Sequence, residues 1–165
     1  MAQNIVWIYK GMVLFGTGSW MLMAACNNLL DAKTNVILLT RMMSMEEIRL
    51  DGKMGQGLLY RSIQSSLFVF PMLRTIAAMQ LVIGLSLLVS SVLIMNIPFY
   101  FIEISESIVA IVVNLSILSL TLHWFVFLIG GLWFGYWIKM GQVQMVHFTM
   151  LILSILLHVM IVPSL

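Results

Sequence analysis

The sequence has 165 residues, of which 62% are hydrophobic and 8% charged, with a formal net charge of +2 at pH 7 and a mean hydropathy of +1.09. Such a chain takes lipid as its solvent, and at about 20 residues per span its length admits four spans, one sizeable loop and no separate soluble domain. The eight basic residues form no run and no interleaving with aromatics, which argues against nucleic acid as a partner. The single cysteine, Cys26, offers neither an internal disulfide nor a metal-binding pair.

The first apolar run, residues 5–30, is interrupted only by Lys10, whose long side chain can snorkel to the headgroups. Met23-Ala24-Ala25-Cys26 loosely resembles a lipoprotein cleavage box, but the weakly charged start of the chain fits an uncut first helix better. Residues 31–64 form the polar loop, holding four of the six acids and five of the eight basic residues. Within it, Asn35 is expected to cap a short helix through Met43, and Ser44 followed by Glu47 spells a capping box. Leu38, Leu39, Met42, Met43 and Met45 share one side, which predicts an amphipathic helix lying at the membrane interface. Gly52, Gly55 and Gly57 then turn the chain back toward the bilayer.

Span two is expected at 71–97, opening on Pro71 with Arg74 at its mouth and stopped by Pro98. An acidic connector carrying Glu103 and Glu106 leads to span three at 108–133. Trp133, Phe134, Tyr136 and Trp137 read as an interfacial aromatic belt. Lys139, Gly141 and Gln142 make a tight loop, and span four at 143–162 ends at Pro163. The reading is an all-α membrane protein, a single domain built as a four-transmembrane-helix bundle. The first and third loops hold almost every Lys and Arg, which places both termini outside.

Each span carries a stripe of small or polar residues, the packing device of helices in lipid. The stripes are Gly11, Gly18 and Ala25; Ala77, Gln80, Gly84 and Ser91; Ser116, Ser119, His123 and Gly130; and Gln144, His147, Ser154 and His158. All are expected to point inward, with Gln80, Asn114 and Gln144 as polar side chains of the bundle interior. No acid lies deep in a span, which argues against a pump or coupled transporter. Neutral imidazoles inside a bundle can ligate haem iron, contact a ligand or relay protons. His147 and His158 lie about 16 Å apart along their helix, too far to share one metal ion, so no metal site is expected. A haem or quinone contact would use His123 and His147, with His158 a further ligand contact. No phosphate loop, paired cysteines or convergent Ser, His and carboxylate set is visible, so no catalytic residue is assigned and no cofactor expected. The methionines are scattered, as adaptable packing rather than copper handling requires.

The run Asn27-Asn28-Leu29-Leu30-Asp31-Ala32-Lys33-Thr34-Asn35, followed by Met42-Met43-Ser44-Met45-Glu46, resembles the signature after span one in bacterial small integral membrane proteins of domain-of-unknown-function family 2165. Ile129-Gly130-Gly131-Leu132-Trp133-Phe134-Gly135-Tyr136-Trp137 is similar to that family's block at the end of span three, and Gly141-Gln142 to the loop that follows. Asn27, Asn28, Asp31, Asn35, Gly130, Gly131, Trp133 and Phe134 carry the match, which covers nearly the whole chain. The resemblance implies a four-helix protein of the bacterial inner (cytoplasmic) membrane, or alternatively the mitochondrial inner membrane, with no established activity. The family pattern also has a glutamate near Met79 or Gln80 and another at Leu132; this chain has neither. The expected role is a non-catalytic accessory or structural subunit of a larger membrane complex, a respiratory one being the candidate. Its partners would be the lipid bilayer and other integral membrane subunits, or a homo-oligomer. The rival readings are a small-molecule transporter or channel lined by Gln80, Asn114 and His123, and a haem- or quinone-binding anchor using His123 and His147.

Overall fold

Four apolar stretches fold as long helices in the computed structural model, which describes residues 2–99 and 103–162. They are α1 (Ala2–Leu30), α4 (Ser66–Asn96), α5 (Glu106–Trp133) and α7 (Gly141–Ile161). All four are long and apolar enough to cross a bilayer. Between α1 and α4 lie α2 (Ala32–Met43), α3 (Glu46–Asp51) and a 3-10 helix over Gln56–Arg61, and α6 (Tyr136–Lys139) joins α5 to α7. No strand occurs among the described residues, and the protein is an all-α, four-span membrane protein.

Span two starts at Ser66, five residues before the expected Pro71. Pro71 removes one hydrogen bond from the ladder, which a helix near its N-terminus tolerates in lipid. The carbonyl it frees is that of Leu67, one turn earlier, while Thr75 Oγ1 donates to the Pro71 carbonyl at 3.1 Å as an ordinary back-bond of its own turn. The expected stop of span four at Pro163 lies outside the described residues.

Consecutive spans pack on one another, α1 on α4, α4 on α5 and α5 on α7. The tightest pair is α1 with α4, where Gly11, Gly18 and Ala25 meet a helix bearing Ala77, Gly84 and Ser91 at the same seven-residue interval. A Cβ added at Gly18 would sit 3.0 Å from the Gly84 carbonyl oxygen, so the two backbones are nearly in contact. Hydrogen bonds cross the same seam: Ser91 Oγ donates to the Gly11 carbonyl at 2.7 Å, and Asn28 Nδ2 to Gln80 Oε1 at 2.7 Å. Ser90 Oγ donates to Ser116 Oγ at 2.9 Å between α4 and α5. Leu14, Leu87, Val113, Ile117 and Leu120 fill the centre of the bundle, fully buried.

The polar loop is a folded cap. Asp31, rather than Asn35, caps α2, accepting from the Thr34 N–H at 3.4 Å. Asn35 instead donates to the Asn27 and Asp31 carbonyls, both at 3.3 Å, and so braces the α1–α2 junction. The capping box of Ser44 and Glu47 does not form. Ser44 Oγ donates to the Arg41 carbonyl and Glu47 pairs with Arg41. Met45 precedes α3 in the left-handed region at φ 54°, an uncommon conformation for a residue with a Cβ. Its side chain is compensated by burial in a second apolar cluster with Met43, Ile48, Val69 and Phe134. Much of the apolar side of α2 and α3 is therefore docked on the bundle, while Leu38 remains exposed. Lys139 Nζ reaches Asp51 Oδ1 at 2.5 Å and ties the first loop to the third at this end.

The expected aromatic belt divides. Trp133 and Trp137 are each 53% exposed, whereas Phe134 and Tyr136 are buried. Gly135, at φ 64°, breaks the helical progression between them and sends residues on either side of it inward.

Candidate functional site

Three residues of α5, one of α7, one of α6 and one of α1 converge on a single aromatic cluster. His123 and Phe127 are one helical turn apart, hence on one face of α5, with ring centroids 4.3 Å apart. Trp124, adjacent in the chain, meets both rings edge-on at 5.1 and 5.6 Å. His147 of α7 lies 5.0 Å from Phe127 and 5.9 Å from Trp124. Tyr136 stacks on His147 at 5.8 Å, and Trp20 of α1 stacks on Trp124 at 5.9 Å. At about 1.5 Å per residue, His147 lies roughly 9 Å into its helix from the cap end.

The seat of Tyr136 explains part of the glycine motif. A Cβ at Gly131 would fall 2.3 Å from the tyrosine ring, so only glycine leaves that ring its place. Left-handed Gly135 aims the chain back toward it. Gly130, half-buried, has open space at its Cβ position and no comparable role in seating a ring.

What sets this cluster apart is its unmet hydrogen-bonding capacity. Both ring nitrogens of His123, Nε1 of Trp124, the hydroxyl of Tyr136 and Nδ1 of His147 are buried without a hydrogen-bond partner among the described residues. His123, Trp124 and Tyr136 are at most 5% exposed. A buried polar atom left unpaired costs about 1–3 kcal/mol, so native structures rarely concentrate several in one place without a use for them. The indole is a donor only, a neutral imidazole offers one donor and one acceptor, and the phenol offers both. Burial pushes the Tyr136 phenol above its ordinary pKa, keeping it protonated and able to donate. The six rings carry no carboxylate and no fixed cation among them.

The other candidate residues are placed elsewhere. Gln80 is buried and held by Asn28 between α1 and α4. Gln144 is half-buried in the first turn of α7. Asn114, expected in the bundle interior, is only half-buried and donates to the Ala110 carbonyl of its own helix at 2.8 Å. His158, expected to point inward, is exposed: eleven residues return it to within about 20° of the face of His147, but there it borders an open groove beside Asn114 and Thr121 rather than the ring cluster. Ser119 is likewise exposed. Asn114, Thr121 and His158 together with Leu115, Leu118 and Ile155 line a groove of about 310 Å³ on the outer side of α5 and α7. Gln80, Asn114 and His123 thus have three different sets of neighbours. No three His, Cys, Asp or Glu side chains converge on a metal position among the described residues.

Of the motif residues, Asp31 and Asn35 brace the α1–α2 junction, with Asn27 supplying a carbonyl to Asn35, and Asn28 ties α1 to Gln80 of α4. Phe134 anchors the second apolar cluster. Trp133 lies under the Arg61 guanidinium, 4.9 Å from its ring centroid. Sequence reasoning missed Trp20, Trp124, Phe127 and Tyr136 as neighbours of the histidines. The one-turn spacing of His123 and Phe127 was a readable signal; the arrival of Trp20 from α1 had none.

Over residues 6–162 the chain matches the family described as "Predicted small integral membrane protein (DUF2165)". No curated protein and no solved structure matches it significantly. With four apolar helices able to cross a bilayer and a family match from the first span to the last, the chain belongs to the DUF2165 family of predicted small integral membrane proteins.

Proposed function

We propose that this protein is a non-catalytic accessory subunit that helps assemble a larger membrane complex by docking a transmembrane helix of another subunit along the groove between α5 and α7. The observation that carries this reading is the polar lining of an outward-facing groove. Asn114, Thr121 and His158 stand where lipid tails offer no hydrogen bonds. The hydroxyl of Thr121 is occupied by the Ile117 carbonyl, and Asn114 uses one N–H on Ala110, which leaves its carbonyl oxygen and the His158 imidazole for a partner helix.

The host membrane in this reading is a bacterial inner membrane, the mitochondrial inner membrane being the alternative, and the host complex a respiratory or other energy-transducing one. Lys33, Arg41, Arg49, Lys53, Arg61, Arg74 and Lys139 gather at the cap end, with Lys10 alone toward the other end of α1, so both termini face outward. Transport is disfavoured because Gln80, Asn114 and His123 share no common lining. Haem is disfavoured because Phe127 packs on both His123 and His147, at 4.3 and 5.0 Å between ring centroids, so the two imidazoles are not set to ligate one iron between them.

The test is purification of tagged protein from its native membrane in mild detergent, with a visible spectrum and identification of every copurifying chain. Stoichiometric larger subunits are expected, at least tenfold depleted by combining Asn114→Leu with His158→Leu. A monodisperse monomer or a bare homo-oligomer sinks the proposal, and a Soret band overturns the cofactor-free reading.

A further inference from the structure

Five unpartnered polar atoms of four residues lie in one ring cluster, and their chemistry defines what would complete them. The indole N–H of Trp124 can only donate. His123, with both nitrogens unpartnered, holds one donor in its neutral form, and Tyr136 has a hydroxyl to give. A partner must therefore present acceptors, as carbonyl oxygens do. A cation would find no carboxylate here, since all six acids lie in the loops, connector or helix ends, and an anion would find no fixed positive charge among the rings.

The walls set the shape. Aromatic faces from α1, α5, α6 and α7 surround the polar atoms, a lining suited to a flat unsaturated ring. The route is set by depth. His123 is buried within a membrane span, and Trp20, 41% exposed, is the ring of the cluster that faces the lipid side. Trp20, exposed beside Trp124, stands apart from the Gly18–Gly84 seam, which lies on other, buried positions of α1.

We propose that His123, Trp124, Tyr136 and His147 form an intramembrane binding site for a lipophilic planar carbonyl compound of the quinone class, entering from the bilayer past Trp20. The carbonyl oxygens accept from Trp124, Tyr136 and the imidazoles, the ring lies against Phe127, and an apolar tail remains in lipid. This site is separate from the groove of Asn114 and His158. The purified chain binds without partner subunits, so failure of one proposal leaves the other standing.

The full chain is reconstituted in nanodiscs and titrated with decylubiquinone and with a short-chain menaquinone analogue, following tryptophan fluorescence and thermal unfolding. Saturable quenching with an upward shift of Tm by at least one of the two is expected. Tyr136→Phe, which keeps the ring and removes the hydroxyl, is expected to weaken binding about tenfold. His123→Phe, the second variant, should do the same, and Trp133→Phe, on the exposed side, should leave affinity unchanged. Quenching that rises linearly with quinone reports partition into lipid and overturns the site. Saturable binding unaffected by both Tyr136→Phe and His123→Phe places the ligand elsewhere and overturns it equally.

Discussion

The seam between α1 and α4 and the ring cluster between α5, α6 and α7 solve opposite problems with opposite residues. The seam uses glycine, alanine and serine to bring backbones together, and its polar groups are paired, Ser91 with Gly11 and Asn28 with Gln80. The cluster uses the bulkiest side chains of the protein and leaves five buried polar atoms unpaired. In lipid, where no hydrophobic force separates protein from solvent, close packing and satisfied hydrogen bonds are what hold helices together. A region that leaves buried polar atoms of His123, Trp124, Tyr136 and His147 unpaired among the described residues is maintained for something other than stability. Substitutions in the two regions should accordingly differ in sign as well as size.

The largest effect belongs to the seam. Gly84→Leu sets a side chain where even a Cβ would meet Leu22 at 2.7 Å and the Gly18 carbonyl at 3.1 Å. Forcing these helices apart should cost about 3 kcal/mol, measured as unfolding in detergent. Unchanged stability would mean that α1 and α4 are not in backbone contact. Gly131→Ala comes next, at about 1–3 kcal/mol, since it evicts the Tyr136 ring from its seat. Its signature is a change in near-ultraviolet circular dichroism with far-ultraviolet signal retained.

A smaller loss is expected from breaking the polar pair of the seam. Gln80→Leu and Asn28→Leu in a double-mutant cycle should show a coupling of about 0.6–1.7 kcal/mol, the range for hydrogen bonds between membrane helices. The cluster should respond the other way. Tyr136→Phe removes a hydroxyl that has no partner among the described residues, so without ligand the protein should be unchanged or more stable by up to about 1 kcal/mol. A clear destabilisation by Tyr136→Phe would show that its hydroxyl is paired, and the contrast between the two regions would collapse.

How legible each region was in the sequence follows from the same physics. The seam was readable because its spacing is periodic: Gly11, Gly18 and Ala25 lie on one face of any straight helix, and so do Ala77, Gly84 and Ser91. The spans were readable by length and hydropathy, with the start of α4 displaced because proline marks a helix start in water more reliably than in lipid. The histidines could be named, but not their surroundings, since Trp20 reaches Trp124 across more than a hundred residues of chain. The cap was misread where one left-handed residue decides the outcome. Met45 turns the chain and itself takes the N-cap of α3, so Ser44 closes α2 instead and Glu47 is left to pair with Arg41. No local pattern announces a left-handed methionine, because its cost is recovered by burial against Val69 and Phe134 from distant parts of the chain.

The smallest expected effect lies in the cap that joins the two regions, where Lys139 holds Asp51. The ammonium hydrogen-bonded to it, with the Met54 N–H as a second donor, lowers the Asp51 pKa below its ordinary value. A carboxylate whose folded pKa is depressed contributes stability that is fully present above the unfolded pKa and lost as pH falls through the folded one. The latch should therefore be intact at neutral pH and open on acidification below about pH 4, where an ordinary aspartate protonates. Limited proteolysis across residues 52–64 reads its opening, and Asp51→Asn should abolish the acid-dependent part of the cleavage while leaving the span helices resistant. Lys139→Met should give the same flattened profile from the other partner. If cleavage rises equally with acid in wild type and both variants, other carboxylates govern the cap, and the link between first and third loops rests on the apolar contacts of Phe134, Met45 and Ile48 and on Arg61 over Trp133.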